Sequence, residues 1–258
     1  MEDTPHPEEG PQLQAPLPAD NSGLRKLALI LGGIAAVGFL ASILLPLLAR
    51  AKGKGNRVKC AANLRRIAQA HSSFADANDG KLSWQLTPQE QQIYFGNNKE
   101  LAQTVGGVFG LSEMKQHLMS PKILISPCDP KRAAANEMIQ EKWASFDTKA
   151  GKPVPSDGIS YVLCVGADMS RPSTILATTR NLSTDDLATS RWLGAERNPT
   201  NPNTMADLNQ GQGQMALADG STSMSNDSDI GSGIGRVKEH INSSGGVTVG
   251  PASTRIFR

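Results

Sequence analysis

Residues 27–48 read LALILGGIAAVGFLASILLPLL, 22 positions without a charge. As an α-helix rising about 1.5 Å per residue, the run is about 33 Å long, against about 30 Å of bilayer hydrocarbon. A helix that is apolar on every face has no polar side to turn to water, and a small soluble domain has little room for it. The expectation is a membrane span. A cleaved signal peptide is the competing reading. It requires a basic leader, an apolar stretch of about 7–15 residues and a small-x-small cleavage site. The leader here, 1–23, carries five acids (Glu2, Asp3, Glu8, Glu9, Asp20), five prolines and no Lys or Arg. It has too little apolar surface to order itself and reads as a disordered acidic tail. Pro46 lies near the far end of the run, where a lost backbone hydrogen bond is nearest to water.

Charge then changes abruptly. Residues 50–66 hold seven bases (Arg50, Lys52, Lys54, Arg57, Lys59, Arg65, Arg66) and no acid. Gly53 and Gly55 weaken a helix by about 1 kcal/mol each relative to Ala and suggest a soft joint. Beyond them Cys60, Leu64, Ile67, His71 and Phe74 recur at intervals of 4, 3, 4 and 3. That is one face of an amphipathic helix, the face expected to pack on a globular head. The turn-forming Asn78-Asp79-Gly80 ends it. His71 reads as a core-edge histidine with a local hydrogen bond, since no second ligand stands at metal spacing from it.

The remainder, 67–258, balances 17 bases against 19 acids, so a nucleic-acid-binding head is not expected. Short helices are expected at 88–95, 99–106 and 112–119, and a longer one at 131–146. Strands are expected at 160–165 and 174–179. Met215–Ala218 and Ser221–Met224 flank Asp219-Gly220, a two-residue hairpin turn. A last helix at 233–242 stops near Gly245. Helices followed by antiparallel strands give an α+β fold, a small sheet packed on the stem. The boundaries follow: tail 1–23, transmembrane helix 24–49, amphipathic stem helix 50–79, head 80–245 and C-terminal tail 246–258. The polar stretch 198–214 reads as a disordered connector.

No HExxH, GxSxG or Walker A sequence is present, and the chain does not read as an enzyme. GSGIGR at 231–236 departs from GxGxxG and reads as a helix lead-in. Asp227, Asp229 and Gly231 faintly resemble a calcium loop, but Glu239 comes too early for the bidentate ligand. No cofactor is expected.

The stem, the basic segment and CAANLRRIAQAHSSFADANDGKL resemble the N-terminal domain of type IV pilin-like proteins. They are closer still to type II secretion pseudopilin-like proteins of planctomycetes and verrucomicrobia. The matching residues are Leu44-Leu45-Pro46, Arg50-Ala51-Lys52, Cys60, Asn63-Leu64-Arg65, Ile67, Phe74-Ala75-Asp76 and Asn78-Asp79-Gly80. ISPCDPKR (125–132) resembles the family's CPSDPxR segment. ISYVLCVGADMSRPSTILATTRNL (159–182) resembles its SYxxxxxADxxRPxTILxxxRN segment, and GQMALADGSTSMSN (213–226) its terminal hairpin. The resemblance implies a pilin-like fold and a structural subunit or accessory protein of a secretion or pilus-like assembly. The implied partners are the lipid bilayer and other pilin-like subunits or secretion machinery. It also implies a single-pass inner-membrane protein with its N-terminus cytoplasmic and its head periplasmic. The charge count alone points the other way: only Arg25 and Lys26 precede the span.

Two features depart from the pattern. Gly23-Leu24 stands where a prepilin is cut, but the leader is acidic and Leu24 replaces the usual Phe. Ala28 stands where a filament subunit carries Glu. The alternative function is therefore an anchored periplasmic binding module that reuses the fold without polymerising. In a periplasmic head, a disulfide between Cys60, facing the head, and Cys128, in the Pro127–Pro130 loop, is permitted. It would close a loop of about 68 residues, worth about 4 kcal/mol. Cys164, within an apolar strand, reads as a buried free thiol.

Overall fold

The computed structural model describes residues 22–129, 132, 142–195, 201–231 and 233–258. The chain divides into two compact units, 1–50 and 51–258. Helix α1 (Ser22–Asp76) contributes to both. In the first unit its apolar side chains stand open, Leu29 by 77% and Val37 by 67%. Among the described residues, α1 alone is long and apolar enough to cross a membrane. Helix α1 runs unbroken through Gly53 and Gly55, where a soft joint is expected. Both glycines are helical, as is Pro46. Two helix-weakening residues do not outweigh the strong formers on either side.

In the second unit α1 buries Cys60, Leu64, Ile67, Ala68, His71, Phe74 and Ala75. The stop is the expected turn. Asn78 and Gly80 both donate backbone N–H groups to the Ala75 carbonyl at 2.9 Å. Asp79 and Gly80 take φ values of 54° and 79°, the left-handed conformation that closes helix ends. Helix α2 (Pro88–Phe95) starts on a capping box. The Thr87 hydroxyl accepts from Glu90 N–H, and the Glu90 carboxylate accepts from Thr87 N–H at 2.6 Å. A 3-10 turn (Lys99–Gln103), α3 (Val105–Phe109) and α4 (Ser112–Leu118) follow. The helix expected at 131–146 falls largely outside the described residues. Its end is a 3-10 turn, Trp143–Ser145.

The sheet has five antiparallel strands: β1 (Tyr161–Cys164), β2 (Ile175–Thr179), β3 (Gln212–Leu217), β4 (Thr222–Asn226) and β5 (Ile256–Phe257). Their order is β4-β3-β2-β1-β5. Two sequence expectations are corrected here. The 246–258 segment is no appended tail, because Ile256 and Phe257 pair with Cys164 and Leu163. The β3–β4 connection is 218–221 rather than Asp219-Gly220 alone. Ala218 N–H leaves the hairpin to donate to the Thr174 carbonyl on the β2 side at 2.9 Å, which lengthens the loop.

Both faces of the sheet are covered. Tyr161, Leu163, Leu176, Ala177 and Ala216 join Leu64, Ile67 and Phe109 in one core. Val162, Cys164, Ile175, Met215 and Leu217 join Trp192 and Val237 in the other. Alternation along a strand explains the division. The exception, Leu176 and Ala177 on one side, coincides with a register irregularity between Ile175 and Ala177. Val237 belongs to the last helix, α5 (Gly235–Ile241).

Trp192 lies flat on the β3 backbone at Gly213. A Cβ there would sit 2.1 Å from the indole ring, so only glycine fits. Gly213→Ala is expected to lower stability by about 1–3 kcal/mol, the usual cost of overpacking. Thermal unfolding followed by tryptophan fluorescence checks it, and an unchanged Tm would show that the indole is free to move.

Candidate functional site at the helix–sheet seam

The seam joins residues 51–76 of α1 to the loops and strands of the same unit. At its start Asn56 Nδ2 donates to Asp207 Oδ2 at 2.8 Å, and Arg57 donates to the Asp207 carbonyl and to Asn209 Oδ1. Gln214 Nε2 donates to the Arg57 carbonyl at 2.8 Å. The polar stretch expected to be a disordered connector is therefore part of the seam over 201–214. Its Met205 and Leu208 are fully buried. Such polar composition misleads because two apolar side chains suffice to dock a loop whose polar groups find partners on the helix. Residues 196–200 lie outside the described residues.

The sequence-derived stripe is all present: Cys60, Leu64, Ile67 and His71 are fully buried, and Phe74 nearly so. His71 Nδ1 donates to the Ile67 carbonyl at 2.8 Å, one helical turn back. Its ring lies against Trp84, centroids 5.7 Å apart, and edge-on to Phe109 at 6.0 Å. Among the described residues Nε2 has no hydrogen-bond partner. Burial holds the imidazole neutral and lowers its pKa to about 4.

The structure also brings Cys60 and Cys128 together. Both are fully buried in the same core cluster, and both are free thiols, as is Cys164. The disulfide bond itself is thus not formed here. The Tyr161 hydroxyl points at Cys60 Sγ from β1, 3.6 Å away. Ser126 adds its hydroxyl to the cluster.

Two buried arginines fasten the loops around this seam. Arg180, just past β2, makes a two-pronged pair with Asp129 (2.6 and 2.8 Å) and donates to the carbonyls of Pro202 and Thr204. Arg171 donates to the carbonyls of Ser243, Gly245, Thr248 and Gly250. Asp168, 3.6 Å from Arg171, accepts from the N–H and hydroxyl of Thr248. Gly246, at φ 77°, passes so near that a Cβ would lie 2.4 Å from the Asp168 carboxylate. These four charged residues all lie in the stretches that suggested the family resemblance. The Asp-x-x-Arg spacing in ADMSRP was the available signal for the second pair.

No protein-family model, curated protein or solved structure matches the chain.

The other candidate positions are distributed rather than gathered. Gly23 and Leu24 lie in the first turn of α1. Asp227 and Asp229 accept backbone N–H groups from Trp192 (2.8 Å) and Asn226 (3.0 Å), so these carboxylate oxygens already serve turns. Among the described residues no cluster of His, Cys, Asp or Glu is arranged to hold a metal ion. Cys164 is buried, and that burial pushes its thiol up to about 12. His240 links α5 to the sheet by accepting from Ile175 N–H at Nδ1 (3.0 Å) and donating from Nε2 to the Ser253 carbonyl (2.9 Å). Its burial also lowers its pKa.

Proposed function

We propose that the chain is a membrane-anchored, pseudopilin-like structural subunit or accessory protein of a type II secretion or type IV pilus-like assembly, without enzymatic activity. The observation that carries this reading is helix α1. One continuous helix holds an apolar, open segment long enough for a bilayer and then a stripe buried under a small antiparallel sheet. Anchor and platform in a single helix is the arrangement the sequence resemblance calls for. The charged motif residues support a structural role, because Asp129, Arg180, Asp168 and Arg171 are consumed in fastening loops. In this reading the span crosses the inner membrane once, with the N-terminus cytoplasmic and the head periplasmic.

The Ala28 and Leu24 departures favour a second form of the reading: an anchored module that binds a partner without polymerising. Intact-mass measurement of the chain from native membranes distinguishes the two. A chain beginning at Leu24, especially if methylated, supports assembly; retention of residues 1–23 supports the non-polymerising form. Protease digestion of intact spheroplasts checks the orientation. A head that survives digestion until the membrane is permeabilised would overturn the periplasmic placement.

A further inference from the structure

The Cys60–Cys128 pair stands out from the rest of the core. Two thiols meet between α1 and the 125–129 loop, both members of the core on the α1 side of the sheet, with the Asp129 and Asp207 carboxylates near by. Three polar side chains converge on them. Tyr161 aims its hydroxyl at Cys60 Sγ, Ser126 lies beside Cys60 and accepts the Cys128 backbone N–H at 3.1 Å, and Asn63, one helical turn beyond Cys60, lies beside Tyr161. Cys164 is the internal control. It is equally buried, but its neighbours are a histidine and a backbone carbonyl, with no second thiol. A packing cysteine needs no hydroxyl donors; a sulfur that bears negative charge does.

We propose that Cys60 and Cys128 are an oxidation site, with Cys60 the attacking sulfur and Cys128 the resolving one, whose closure locks α1 to the head. The oxidant is a small-molecule or protein disulfide. Cys60 gives its proton to solvent and attacks one oxidant sulfur; a Cys60–S bond forms and the oxidant's S–S bond breaks, releasing one thiolate that takes up a proton. Cys128 then loses its proton and attacks Cys60 Sγ. The Cys60–Cys128 bond forms, the mixed disulfide breaks, and the second oxidant sulfur leaves as a thiol. Two protein thiols are oxidised by two electrons, and one disulfide is reduced to two thiols.

The division of roles follows from the Tyr161 hydroxyl, which donates to Cys60 Sγ at 3.6 Å and so supports negative charge on that sulfur. Burial pushes the Cys60 thiol up, and hydrogen bonds from Cys128, Ser126 and Tyr161 together bring it below its ordinary value. The hydrogen bond to Cys60, and then burial, hold the Cys128 proton on. Once Cys60 is capped in the mixed disulfide, the first of those two restraints is gone and Cys128 is free to follow. Neither sulfur is exposed, so the reaction proceeds through opening of the seam or before the head closes over it. The proposal stands apart from the pilin-like reading and does not depend on polymerisation.

The test uses the full chain, purified reduced in detergent and incubated with oxidised glutathione, with and without mild urea to open the seam. Peptide mapping without reductant should find Cys60 joined to Cys128, and Cys164 alkylatable only after unfolding. The oxidised form should melt several degrees higher. Tyr161→Phe should slow closure several-fold, while Cys164→Ser should leave the rate unchanged. If Cys60→Ser does not fold, the Tyr161→Phe rate carries the test. Both thiols recovered free after the urea arm, stable glutathionylation of Cys60 without closure, or pairing through Cys164 would each overturn the proposal.

Discussion

Arg180→Ala is expected to destabilise the 51–258 unit by about 3–5 kcal/mol, the cost of leaving a buried carboxylate without its counter-charge. Asp129 and Arg180 are both almost wholly enclosed, and their two bonds are short. Removing the guanidinium strands Asp129 and takes the donors from the Pro202 and Thr204 carbonyls. The loop bearing Cys128 and the loop before β3 would loosen together. Urea unfolding, read through Trp84 and Trp192 fluorescence, measures the loss. A double replacement, Asp129→Leu with Arg180→Met, should recover much of it, because an apolar pair leaves no bare charge. A single-variant cost under about 1 kcal/mol would show that water reaches the pair.

Acid should destabilise the fold in a defined window. His71 titrates near 6.5 when unfolded and at about 4 when buried. Between those values the unfolded chain binds more protons than the folded one, so stability rises with pH. The contribution of the neutral ring is fully present above about pH 6.5, falls as pH drops through the window, and is fully lost below about 4. The difference amounts to about 3 kcal/mol at 1.36 kcal/mol per pKa unit. His240 acts in the same direction, since a proton on Nδ1 would displace the Ile175 N–H it accepts. His71→Gln should flatten the stability profile between pH 4 and 6.5, measured as urea midpoints at stepped pH. An undiminished slope would assign the acid sensitivity elsewhere.

Much of the architecture was written in local patterns. The 4-3-4-3 spacing from Cys60 to Phe74 names the buried face of α1 because helical geometry alone decides which side chains share a side. Pro88 after Thr87, with Glu90 three residues on from the threonine, marks the start of α2. The Asn-Asp-Gly turn marks the stop of α1. What escaped was non-local. Nothing in PASTRIFR says that Ile256 will pair with Cys164, since that pairing depends on β1 leaving an edge open. Nothing in a run of Asn, Pro, Thr and Gln says that Asp207 and Asn209 will bond to the stem. The Asp129–Arg180 pair is not legible in the sequence, because an Asp and an Arg 51 positions apart carry no spacing rule.

The bonds from Asn56 to Asp207 and from Gln214 to Arg57 span 151 and 157 positions. They set the order in which the molecule can be made. The stem helix emerges early and Trp84, Tyr94 and Phe109 can soon cover its far end at His71 and Phe74, yet its start at Asn56 and Arg57 has no partner until about 150 further residues have been synthesised. Loop closure over such distances is slow relative to helix formation. During that interval the start of the seam is open to wrong contacts, and the two seam thiols are at their most accessible. Late closure makes biogenesis, rather than the finished fold, the vulnerable stage of this protein's life.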